Sequence, residues 1–173
     1  MSQIAGGRCL DGMTEMTETR FDLFGSEFMM SFIRRFQGAS NLVTESSLPT
    51  STQELVKIRA SQINGCGMCT DMHTKDALAA GEDQTRLNLV AAWRDATVFT
   101  EAEKAALALA EEATRLADAH TGVSEETWQA VRKHYDDEQQ GALIAVLAVI
   151  NAWNRLNVIA GTPAGGYEPG MFG

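Results

Sequence analysis

The sequence predicts an all-α, single-domain bundle of about six to seven helices. Three observations carry that expectation. Apolar residues recur at spacings of three and four across residues 14–160, helix-start and helix-stop signals punctuate the span, and no segment carries a strand signal. At 173 residues, 45% hydrophobic and 21% charged, the chain has the length and composition of one globular domain with its own core. Residues 1–173 are therefore read as one unit, with the core over 14–160 and irregular termini.

The first helix carries Phe21, Phe24, Phe28, Phe32 and Phe36, a stripe that reads first as a core face, with Met29 and Met30 as core or interface filler. A polar linker, 38–49, follows. Ser51 and Glu54 then have the form of a capping box opening a second helix over 52–63. Asn64 and Gly65 tolerate positive φ and end it, so a third helix restarts at Cys66, runs to Ala80 and stops at Gly81. A fourth spans 83–94, a fifth begins at the capping box of Thr100 and Glu103, and Ser124 caps a sixth. The last runs from 137 to 160. Leu143, Ile144, Leu147, Ile150 and Asn154 share one of its faces, and apolar residues nearly all round mark it as central or interfacial. The Gly- and Pro-rich tail, 161–173, has no period and is expected to be irregular, docked on a neighbour.

Chemistry concentrates between Glu54 and His73. On a helix that starts at Cys66, Cys66 and Cys69 stand at i, i+3 and Cys69 and His73 at i, i+4, so the three side chains share a face. A thiolate is the reactive form of cysteine, and an ordinary thiol is mostly protonated at neutral pH. Two devices favour the thiolate: the positive end of the helix at Cys66, and a proton-accepting His73 beside Cys69. They favour different cysteines, and the spacing leaves the choice open. Glu54, on the preceding helix, is placed to orient His73 or take its proton once the turn at 64–65 folds the chain back, although the capping box is a competing explanation for it.

The segment ELVKIRASQINGCGMCTDMHTKDA, with Glu54, Cys66, Cys69 and His73, resembles the core of the alkylhydroperoxidase D-like branch of the carboxymuconolactone decarboxylase superfamily, and INAWNRLNV at 150–158 is similar to that branch too. The resemblance implies a thiol-dependent peroxidase or dithiol-disulfide oxidoreductase: Cys69 attacks the peroxide, Cys66 resolves, and Glu54 and His73 relay protons. It implies no metal, flavin or other cofactor, a hydroperoxide substrate, and a lipoyl- or thioredoxin-like dithiol reductant. It also implies a homo-oligomer, hexamer before trimer. Peroxidase members carry a histidine just before the second cysteine; this chain has Met68, which cannot transfer a proton.

Other classes fare less well. A net charge of -9, from 23 acidic and 14 basic residues, argues against a nucleic-acid partner. The N-terminal residues lack an apolar signal run, and the longest apolar stretch, 142–150, is short for a membrane span, so the chain is read as cytoplasmic. Cys66, Cys69 and His73 offer three zinc ligands, but a fourth is missing, since His120 and His134 stand alone. Cys9 reads as a bystander thiol, and Asn151, Trp153, Asn154 and Arg155 as packing or polar contacts between helices. A decarboxylase-type enzyme without redox chemistry and a non-catalytic helical oligomer remain as alternatives.

Overall fold

The computed structural model describes residues 19–118 and 122–171; Cys9 and His120 lie outside them. It has seven α-helices and no strand among the described residues. In order these are α1 (Glu27–Thr44), α2 (Thr50–Asn64), α3 (Gly67–Ala79), α4 (Gln84–Leu89), α5 (Glu101–Thr114), α6 (Glu125–His134) and α7 (Asp137–Ala160).

Most starts follow the sequence signals. Ser124 accepts from the Thr127 N–H, Thr100 and Glu103 form the expected capping box, and α7 opens on a second such box made by Asp136 and Gln139. The fourth helix is shorter than expected: Asp83 caps it, and after Leu89 the chain tightens into a 3-10 turn, Val90–Ala92, that buries Val90 and lets Trp93 turn inward.

Three expectations need correction. Ser51 and Glu54 form no capping box. The helix starts earlier, at Thr50 behind Pro49, with no side-chain cap; the Ser51 hydroxyl donates to Glu82 at 2.6 Å, and Glu54 turns to other partners. The supposed linker 38–49 is mostly helix, because α1 continues to Thr44 along α7, where Phe36 packs on Trp153 at 5.0 Å and the Trp153 indole donates to Ser40 at 2.9 Å. The phenylalanine stripe is not a core face. Phe21 and Phe24 precede the helix, and Phe21, Phe24, Phe28 and Phe32 are all exposed, Phe28 by 76%. Spacing shows that a face is apolar and does not say what covers it.

The core has two halves with α2 and α5 between them. Val56, Ala106 and Leu109 join Leu143, Val146 and Leu147 of α7 on one side, while Leu55, Ile58 and Leu107 join Leu87, Val90 and Trp93 on the other. Each such side chain contributes roughly 1.5–3 kcal/mol by leaving water. A third, small cluster matters most for function: Ala60, Cys66, Cys69 and Ile150 pack together, so the cysteines are held against both α2 and α7.

Helix α7 is long and apolar enough to cross a membrane, more than the stretch 142–150 alone indicated. Leu143, Leu147, Ile150 and Asn154 of the expected face are buried within the bundle, while Ile144 is 56% exposed. Beyond it the tail docks on its own chain. Tyr167 is buried, its hydroxyl hydrogen-bonds Asp76 at 2.8 Å, the Gly165 N–H donates to Asp71 at 2.8 Å, and the Lys75 ammonium donates to the Tyr167 carbonyl at 2.8 Å, so residues 165–167 strap α3.

Candidate thiol-disulfide site

The turn between α2 and α3 sets the geometry. Gly65 takes the left-handed conformation, φ 67°, where a side chain would cost roughly 1–2 kcal/mol. Asn64 anchors the turn from the other side, donating to Asn151 and Asn154 of α7 at 2.9 and 2.8 Å, while the buried Asn154 donates to Ser61 at 3.0 Å. These asparagines satisfy one another inside an apolar interface, as buried polar groups must. Asn151 and Asn154 thus act as the helix-to-helix contacts expected of them.

Cys66 is the N-cap of α3, and its sulfur accepts the backbone N–H of Cys69 at 3.3 Å. Cys66 and Cys69 are joined as a disulfide, with Cα atoms 5.4 Å apart, and each residue is 1% exposed. The Asn157 side-chain amide of α7 lies 3.6 Å from the Cys69 sulfur as a donor. A donor there stabilises a thiolate when the disulfide opens. No other side chain donates to either sulfur among the described residues, His73 included.

His73 stands one turn beyond Cys69 on α3, and its Nδ1 meets Glu54 Oε2 at 2.9 Å. Lys57 holds the other carboxylate oxygen at 2.8 Å. Burial pushes the Glu54 carboxyl upward, but the hydrogen bond and charge of His73, with Lys57 beside them, outweigh it and hold the pKa at about 2. Glu54 is thus an acceptor throughout the neutral range. An acceptor-only carboxylate requires a proton on Nδ1, which leaves Nε2 of a neutral His73 with its lone pair free to take a proton.

The structure therefore brings Glu54 to His73 and Cys66 to Cys69, on two helices joined by one turn. No group of three or more His, Cys, Asp or Glu side chains is arranged for a metal among the described residues. Lys57 and Asn157 were not singled out from the sequence. The available signal for Asn157 was the run of asparagines at 151, 154 and 157 on an otherwise apolar helix.

The carboxymuconolactone decarboxylase family matches residues 29–112. The chain is 42% identical over 120 residues to the uncharacterized protein YdfG of Bacillus subtilis, covering 69% of this chain and 80% of that one. It is 38% identical over 76 residues to the alkyl hydroperoxide reductase AhpD of Rhodopseudomonas palustris, 42% of either length. The fold superposes with a TM-score of 0.80 and 30% identity on an Agrobacterium tumefaciens protein of unknown function proposed to be the antioxidant defence protein AhpD, over 87% of this chain and 100% of that one. The chain belongs to the AhpD-like branch of the carboxymuconolactone decarboxylase family. As an AhpD-like protein it is of an enzyme type tied to antioxidant, peroxidase-related function, and its seven-helix fold is the fold of that branch. In this AhpD-like chain Met68 sits half-buried in the first turn of α3, between the cysteines.

Proposed function

We propose that this AhpD-like chain is a thiol-dependent peroxidase or dithiol-disulfide oxidoreductase that cycles the Cys66–Cys69 pair. The observation that carries the reading is the disulfide itself, formed at the start of α3 one turn ahead of a His73 oriented by an ionised Glu54. His73 takes the proton of the Cys69 thiol. The Cys69 thiolate attacks the distal oxygen of a hydroperoxide, the O–O bond breaks, and the leaving alkoxide is protonated to an alcohol while the sulfur becomes a sulfenic acid. Cys66 then attacks that sulfur; the S–S bond forms and hydroxide leaves as water. A dithiol supplies two electrons and regenerates both thiols. Met68 offers no proton at the position between the cysteines, so the relay runs through His73 and Glu54 alone. Cycling of this kind suits the reducing cytoplasm.

Intact mass with thiol counting tests the reading. One equivalent of peroxide added to the reduced chain removes two thiols and about two mass units, and a dithiol restores both. Thiols that persist after peroxide, or zinc that co-purifies at one per chain, would refute it.

The same reading includes assembly into a closed homo-oligomer, a hexamer before a trimer. Its support is the row Phe21, Phe24, Phe28 and Phe32, exposed near Val158 and Ile159, which are also exposed at the end of α7, where Arg20 and Phe21 donate to the Ala160 carbonyl. Sedimentation at micromolar concentration is expected to return a multiple of three chains. A strictly monomeric mass overturns the assembly.

A further inference from the structure

A cavity of about 320 Å³ opens beside the disulfide, walled by Cys66 and Gly67 at the start of α3, Asn157 near the end of α7, Thr162 just beyond it, and Arg20. It meets the pair at Cys66; Cys69 does not line it. Its polarity is one-sided. Arg20 has no carboxylate partner among the described residues, and its one side-chain hydrogen bond is a long one, 3.5 Å, to the Val158 carbonyl. The positive end of α3 faces the same space, and no acidic side chain lines it. The Thr162 hydroxyl is buried with no hydrogen-bond partner in the chain, a donor without an acceptor. A chain with net charge -9 thus places a cation, a helix N-terminus and an unused hydroxyl around the sulfur that resolves the cycle.

We propose that this cavity docks a small dithiol reductant bearing a carboxylate, held by Arg20 and Thr162 while its thiolate attacks the Cys66 sulfur. The volume lies at the small end of ligand pockets, which suits a low-molecular-weight thiol. In the first step the reductant–Cys66 S–S bond forms and the Cys66–Cys69 bond breaks, its electron pair leaving on Cys69 as a thiolate beside the Asn157 amide. The reductant's second thiolate then attacks its own sulfur in the mixed disulfide. Cys66 leaves as a thiolate, and the reductant departs as a cyclic disulfide, having given two electrons.

The inference rests on the redox cycle proposed above, and the test separates the two. Dihydrolipoate and its neutral amide carry the same dithiol and differ in the carboxylate. Reduction of the oxidised full chain by each, followed as thiol release, is expected to be about tenfold faster with the carboxylate, the worth of one charge-assisted hydrogen bond. The net charge of the chain favours the opposite order. Arg20→Gln should bring the ratio of the two rates close to one, and Thr162→Val should lower it in part; a change that merely disturbs folding slows both dithiols and leaves the ratio intact. Equal rates in the unaltered chain, or a ratio that survives Arg20→Gln, overturn the docking site while the redox cycle stands. Failure of both dithiols to open the disulfide overturns the cycle itself.

Discussion

Replacing Cys69 by serine abolishes peroxide turnover, whereas replacing Cys66 by serine leaves one oxidation event that stops at a sulfenic acid on Cys69. The asymmetry follows from what surrounds each sulfur. Cys66 lies at the helix end, with the Cys69 N–H directed at it, whereas Cys69 has the Asn157 amide at 3.6 Å and His73 one turn further along α3. His73 is a base that removes a proton and Asn157 a donor that holds the resulting charge, so Cys69 combines the two requirements of an attacking thiol. Without Cys66 no second thiol is available to condense with the sulfenic acid, and a carbon-acid probe such as dimedone captures it. Steady-state turnover and mass spectrometry of the trapped adduct check the two halves. A sulfenic acid on Cys66 in the Cys69→Ser chain, with turnover retained, assigns the attack to the other cysteine.

Replacing Glu111 by alanine should cost about 3–5 kcal/mol of stability, more than any single change at the redox pair. Glu111 on α5 is 6% exposed and binds three groups from two other segments. Arg59 of α2 donates to its Oε1 from two nitrogens at 2.8 and 2.5 Å, the Trp93 indole donates to the same oxygen at 3.0 Å, and Arg94 pairs with Oε2. Burial raises the Glu111 carboxyl, but its hydrogen bonds with Arg94, Trp93 and Arg59 hold it below the usual range. Alanine strands the Arg59 guanidinium, 12% exposed, and the buried indole N–H without an acceptor. Urea unfolding at neutral pH should show the loss as a lower midpoint with an unchanged slope. A loss below about 1 kcal/mol means that water replaces the carboxylate and that the cluster is not a clamp.

Local signals carried much of this structure, and contacts between distant segments carried what they missed. Gly65, Thr100, Ser124 and the bounds of α7 were legible because caps and positive φ act over a few residues. The pairing of His73 with Glu54 was legible because a single turn separates their helices. Asn157 was not, because it reaches Cys69 across 88 positions of sequence. Nor was the true start of α2: Ser51 fits a capping box by spacing, yet its hydroxyl binds Glu82, an acceptor 31 positions away. The exposed phenylalanines misled in another way, since the same period describes a face turned to the core and one turned outward.

The reactive groups lie on one uninterrupted stretch, residues 54–73, whereas Arg20, Asn157 and Thr162 reach them from the two ends of the described chain. Chemistry and selectivity are therefore heritable apart. A lineage can exchange its terminal segments, and with them the molecule it accepts, without touching the helical hairpin that moves electrons; the hairpin can pass into another helical scaffold with its acid-base pair intact, because Glu54, Lys57 and His73 travel inside it.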